Sequence, residues 1–175
     1  MRFNPLLLLL PAAALLLGES QPGVPGKPIE VRTSNGAVAI TGSDGASESH
    51  TVIVGQNESL TLQVPRNAAL NVITSNGAIH VSGVTGALHL FTSNGAIELI
   101  LPSGINANLS ARTSNAQIRS EIRVTATHAG TNFLEGTIGA GGPLIELHTS
   151  NAPIHIRYDS QQESVSSIFR PGEVR

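Results

Sequence analysis

Leu88-His89-Leu90-Phe91-Thr92-Ser93-Asn94-Gly95-Ala96-Ile97-Glu98-Leu99 is the stretch on which the fold turns. Leu88 and Leu90 alternate with His89 and Phe91, and Ile97 and Leu99 resume the alternation around Glu98. A period of two puts successive side chains on opposite faces of a strand. Asn94-Gly95 lies between the two runs, and both residue types tolerate the left-handed backbone that a corner demands. The segment therefore predicts strand, corner, strand.

The corner recurs. Thr-Ser-Asn-Gly, or Thr-Ser-Asn-Ala, starts at Thr33, Thr74, Thr92, Thr113 and Thr149. The starts are separated by 41, 18, 21 and 36 residues, one or two units of roughly 18–21, which is the spacing of a stacked repeat. Aligned on Thr, position minus two holds Val31, Val72, Leu90, Ala111 and Leu147. Position minus four holds Ile29, Leu70, Leu88, Leu109 and Ile145, and position plus five holds Val38, Ile79, Ile97, Ile118 and Ile154. All share one parity and should face inward. Hairpins would also accept Asn-Gly corners. Near-identical corner chemistry favours stacking of like on like, and Ala116 and Ala152 in place of Gly fit a tight hairpin poorly. The expectation is an all-β, single-domain β-solenoid of about seven short coils. Asn35, Asn76, Asn94, Asn115 and Asn151 would form a ladder of buried corner amides. The long intervals should hide degenerate coils in 51–64 and 122–138, and the rod would be roughly 35 Å long at ~4.8 Å per coil.

The chain has 175 residues, a net charge of −2, 3% aromatic residues and no cysteine. This excludes general attraction to nucleic acid, a disulfide framework, a thiolate metal site and a cysteine nucleophile. Apolar content that is mostly aliphatic suits thin, layered β structure. Residues 1–20 read as a signal peptide: Arg2, the apolar runs Leu6–Leu10 and Ala12–Leu17, then Gly18-Glu19-Ser20 as a small-x-small cleavage pattern. The run is shorter than the ~20 residues that span a bilayer, so no membrane span is expected in the mature form. A Pro/Gly linker follows over 21–28, the repeat domain occupies 29–158, and a polar flexible tail covers 159–175.

Outward positions are the places for chemistry. At plus six stand Ala39, His80, Glu98, Arg119 and His155; in stacked coils His80, Glu98 and Arg119 would be neighbours. This surface stripe reads as acid–base or ligand-binding groups, or as a solvated face whose alternating charges avoid repulsion between strands. At minus one stand Arg32, Ile73, Phe91, Arg112 and His148, with a small exposed apolar spot at Ile73 and Phe91. Six histidines are present without the close ligand spacing zinc requires, and the two aspartates, Asp44 and Asp159, lie in unrelated loops. Neither metal nor other cofactor is expected. Asn57-Glu58-Ser59 and Asn108-Leu109-Ser110 are glycosylation sequons. The acids are scattered rather than paired across a groove, unlike a glycoside-cleaving site, so no catalytic residue is assigned.

The repeated Thr-Ser-Asn-Gly-Ala-Ile, with strands such as Gly86-Ala87-Leu88-His89-Leu90 feeding the next copy, resembles the putative adhesin family of unknown function over about residues 29–158. That resemblance implies an exported β-solenoid domain in the cell envelope or extracellular space. It offers no catalytic residues. The expected role is a secreted, non-catalytic surface protein contacting a surface polymer or another protein, with no nucleic-acid partner. The alternatives are a matrix component self-associating through solenoid ends, and a carbohydrate-active enzyme on a β-helix.

Overall fold

A computed structural model describes residues 27–46, 53–55 and 57–160. The leader at 1–20, most of the linker at 21–28 and nearly all of the tail at 159–175 lie outside the described residues. Among the described residues there are strands and no helix, so none is long and apolar enough to cross a membrane.

The strands are β1 (Ile29–Thr33), β2 (Val38–Ser43), β3 (Ile53–Gly55), β4 (Leu60–Pro65), β5 (Leu70–Ile73), β6 (Ile79–Ser82), β7 (Leu88–Phe91), β8 (Ile97–Leu101), β9 (Ala107–Thr113), β10 (Ile118–Ser120), β11 (Thr125–Ala129), β12 (Phe133–Ile138), β13 (Leu144–Thr149) and β14 (Ile154–Tyr158). They form an eight-stranded sheet, β11-β12-β9-β13-β7-β5-β1-β3, and a six-stranded sheet, β10-β14-β8-β6-β2-β4. We call these the first and second sheets. Each Ser-Asn corner carries the chain from a strand of the first to a strand of the second, making one layer. All pairs between layers are parallel and in register: Leu70 and Ile145 both face Leu88, and Ile79 and Ile154 both face Ile97.

Alternation explains the core. Leu70, Val72, Leu88, Leu90, Ile145 and Leu147 of the first sheet meet Ile79, Val81, Ile97, Leu99, Ile154 and Ile156 of the second in one buried aliphatic cluster. The fifteen positions expected inward are buried, except Ile118 on the edge strand β10, which is partly buried. Val84 and Ile105, in the connectors that return to the first sheet, close the core opposite the corners.

Three expectations need correction. Segment 122–138 does not make a coil. Thr125-Ala126-Thr127-His128-Ala129 has no apolar face and is exposed throughout, so it has nothing to bury between sheets. Instead β11 and β12 form an antiparallel hairpin, and β12 pairs antiparallel with β9 from Phe133↔Arg112 to Ile138↔Ala107. Segment 51–64 does supply a layer through β3 and β4, so six layers stack rather than about seven. Second, stacking order departs from chain order. β1–β2 lies between β3–β4 and β5–β6, and β13–β14 lies between β7–β8 and β9–β10. Third, no corner Asn or Gly of the five copies has a positive φ; among the described residues Asn57, at 65°, is the non-glycine residue that does. Glycine is used because layers approach closely. A Cβ on Gly77 would run into the carbonyl oxygen of Gly36, and one on Gly95 into that of Gly77.

Candidate functional site

The corners build two parallel hydrogen-bond columns, one outside and one inside. Outside, Asn76 Nδ2 donates to Asn35 Oδ1 at 2.6 Å, Asn94 to Asn76 at 2.7 Å, Asn151 to Asn94 at 2.7 Å and Asn115 to Asn151 at 2.7 Å. Asn35 Nδ2 donates to Asn57 Oδ1, so the sequon asparagine Asn57 is a sixth, outermost rung. The five predicted asparagines are thus brought together, but in the order 35, 76, 94, 151, 115. They are exposed, not buried. The backbone repeats the pattern: Asn76 N donates to Ser34 O, Asn94 N to Ser75 O, Asn151 N to Ser93 O and Asn115 N to Ser150 O, each at 2.9 Å.

Inside the corner, the threonines on which the repeat aligns are buried: Thr74, Thr92, Thr113 and Thr149. Thr92 Oγ1 donates to Gly77 O, Thr149 Oγ1 to Gly95 O and Thr113 Oγ1 to Ala152 O, each at 3.1 Å. Gly95 N returns a bond to Thr92 Oγ1 at 3.2 Å. In the buried corner a valine would leave this carbonyl and this N–H without these partners, which costs free energy, and that is why Thr rather than Val recurs. Sequence reading gave Thr no role, though its parity, shared with the inward positions, was the signal. Thr33 Oγ1 is the exception among the described residues, buried without a partner; the layer outside it carries Asn57-Glu58 in place of Asn-Gly.

On the outer face of the second sheet the register runs Ala39, His80, Glu98, His155, Arg119. Arg119 is therefore separated from Glu98 by His155, contrary to expectation, because β13–β14 is inserted between their layers. His80 Nδ1 lies 3.0 Å from Glu98 Oε2. The cation on the other side is Arg157, whose Nε donates to Glu98 Oε1 at 3.1 Å. Burial pushes the Glu98 carboxyl up, but hydrogen bonds and charge from Arg157 and His80 outweigh it and hold the group below its ordinary value. Glu98 is thus a carboxylate tethered from both sides.

The outer face of the first sheet gathers what the sequence scattered. Ile73, Phe91, His148, Arg112 and Phe133 stand in register on β5, β7, β13, β9 and β12. Phe91 and His148 rings lie 5.9 Å apart, tilted by 33°. Arg112 forms an ion pair with Glu135, which keeps that carboxyl below its ordinary value. His128 Nδ1 lies 3.6 Å from the same carboxylate. At this end of the stripe an open groove of about 650 Å³ is lined by Arg112, Ser114, His128, Asn132, Phe133 and His148, among others. Phe133 and Ile73 are exposed. Phe133 was invisible as part of this stripe because it arrives antiparallel, outside the repeat. His89 and Glu146, one column away, are joined at 2.9 Å.

Among the described residues no three of His, Asp and Glu form a group that could hold a metal ion. The other sequon asparagine, Asn108, gives its Nδ2 to Gly142 O at 2.9 Å.

No family model matches this chain, and no curated protein matches it. A solved structure described as a putative cell adhesion protein from Clostridium sporogenes is similar to it at a TM-score of 0.42, with 10% identity over 77% of this chain and 94% of that one.

Proposed function

We propose that this chain is an exported β-solenoid acting as a non-catalytic interaction protein at the cell surface or outside the cell, adhesin-like in role, and that it holds an extended surface polymer or protein along the stripe from Ile73 to Phe133. The carrying observation is that stripe. Five strands from different parts of the chain place two phenyl rings, an imidazole and a guanidinium in one line, ending in a groove. Aromatic and arginine side chains are the usual anchors of binding surfaces, and a line along stacked strands suits a ligand that is itself long. The parallel layers support the solenoid reading. The apolar leader at 1–20 supports export. The scatter of the acids, with Glu98 tied to Arg157 and Glu135 to Arg112 rather than paired with each other across a groove, supports a binding role.

The experiment is capture of the purified chain by cell-wall and extracellular-matrix preparations. Phe133→Ala and Arg112→Ala should each weaken capture by about tenfold, the effect of losing one anchor of ~1.4 kcal/mol. Capture unaffected by both substitutions would remove the stripe, and no capture by any preparation would remove the binding role.

A further inference from the structure

The placement of β13 and β14 has a consequence for how copies of this chain meet. Both edges of this layer are used. Ile145 and Leu147 pair with Leu88 and Leu90 on one side and with Leu109 and Ala111 on the other. Ile154 pairs with both Ile97 and Ile118. Yet β7–β8 and β9–β10 precede it in the chain. The layer must therefore enter a slot whose two walls are already encoded upstream. Until it enters, the walls present unpaired strand edges and apolar side chains, the features that recruit a further strand.

The slot is not selective for the chain that made it. The five layers that carry the tetrapeptide offer the same inward spacing and the same Asn rung, so register is satisfied equally by such a layer from another molecule. Its buried contribution is large: Ile145, Leu147, Thr149, Ala152, Ile154 and Ile156 are all buried. The tether is short and hinge-like. Residues 139–143 read Gly-Ala-Gly-Gly-Pro, with Gly139 at φ 59° and Gly141 at φ 81°. Glycine leaves such a turn for an extended path without steric cost. The turn is held closed by surface bonds, Ala140 N to Asn106 Oδ1 at 2.7 Å and Asn108 Nδ2 to Gly142 O. An element with matching sites in every copy and a short hinge is the arrangement in which identical chains exchange segments.

We propose that β13–β14 is an exchangeable layer that seats between β7–β8 and β9–β10 of a second copy of this chain. Every contact of the closed form is then remade between molecules, and the extended tether joins them. This differs from association through the ends of the stack, where no layer leaves its own chain. On one end β12 occupies the outer edge of β9 in antiparallel register, so a further layer cannot stack on β9 in the parallel register of the repeat, while exchange remains open.

The chain has no cysteine, so introduced thiols report cleanly. His89 on the slot wall and Glu146 on the inserted strand are direct register partners, at a separation that a disulfide spans. Full-length His89→Cys and full-length Glu146→Cys are unfolded, mixed, refolded together over a range of concentrations and oxidised. Mixed at equal amounts, the two chains would give mixed dimers as half of all disulfide dimers by random pairing; exchange predicts a mixed share well above half, in a dimer yield that increases with concentration as mass action requires. A mixed share no greater than that random half would overturn it. Light scattering on the unsubstituted chain refolded over the same range provides the second reading: a dimer fraction growing with concentration is expected, and monomer throughout would overturn the proposal. Dimers of the unsubstituted chain without the mixed crosslink would also overturn it, by placing the contact elsewhere.

Discussion

Layers β5–β6 and β7–β8 follow one another in the chain and lie side by side in the stack. Layers β9–β10 and β13–β14 also follow one another as layers, but their spatial order is reversed. The two regions share corner chemistry, register and inward spacing. They differ in what lies between layers. A five-residue connector, 83–87, links β6 to β7, whereas a whole hairpin intervenes between β10 and β13. The repeat therefore specifies how any layer sits on any other, and the connectors specify which layer is the neighbour. Identical rungs leave order undetermined, so order has to come from segments that do not repeat.

Emptying the core at matched positions separates the two regions most strongly. Ile97 is 1% exposed and faces two layers, whereas Ile118 on β10 is partly buried and has one parallel neighbour. Ile97→Ala should cost about 2–5 kcal/mol, and Ile118→Ala clearly less, in urea unfolding. Equal losses would mean that the edge layer is as well packed as the middle. Next in size is the corner glycine. Gly95→Ala drives a methyl toward the carbonyl of Gly77 and should cost about 1–3 kcal/mol as an overpacked contact. The layer that stacks on it already carries Ala152, which is buried, so Ala152→Gly should change the melting midpoint much less. A neutral Gly95→Ala would show that the layers can separate to admit a side chain.

These positions also mark how far the sequence could be read. Strand positions, inward faces and the asparagine ladder follow from alternation and from a tetrapeptide that recurs, because register is a local property of each copy. Burial of Thr92 and Thr149 was within reach of the same parity. Three things were not. The exposed run Thr125–Ala129 keeps some alternation but lacks an apolar face, and only that deficit separates a hairpin from a coil. Insertion of β13–β14 leaves no trace in the repeat, whose spacing alone puts Arg119 beside Glu98, although His155 stands between them. The stripe through Phe91, His148, Arg112 and Phe133 depends on both, since it joins an inserted strand to an antiparallel one. The corner glycines were read as left-handed, and the reason for them is contact between layers, which a single layer cannot reveal.

Along the ladder itself the middle and the end should differ by less. Asn94 donates to Asn76 and accepts from Asn151, while Asn115 donates to Asn151 at the far end. Asn94→Ala should cost about 1–2 kcal/mol, two net hydrogen bonds at ~0.5–1.5 each with the discount that exposed partners recover water. Asn115→Ala should cost about half as much. Thermal unfolding of the two variants distinguishes a cooperative ladder from independent surface amides. If neither substitution moves the midpoint, the column holds the corners in register without adding measurable stability.

The smallest expected effect concerns charge across the insertion. Glu98 on β8 is held by His80 of the sequential neighbour and by Arg157 of the inserted layer, so its titration reports on both kinds of contact. Its carboxyl titrates below the ordinary 4.5 in the folded chain. A carboxyl with a depressed folded value stabilises the fold fully above its unfolded value, and that contribution is lost as pH falls through the folded value. Wild-type stability should therefore decline as pH drops below about 4.5, and Glu98→Gln should decline less steeply over the same interval. The pair is about 40% exposed, so solvent screening limits the difference to at most about 1 kcal/mol. Arg157→Met should flatten the acid profile as Glu98→Gln does, because it removes the leading hydrogen bond that lowers the carboxyl. His80→Gln, which keeps a polar side chain on the sequential side, should leave more of the slope in place. If the His80 variant flattens the profile more than the Arg157 variant, then the sequential contact holds this carboxylate and the inserted layer contributes packing alone.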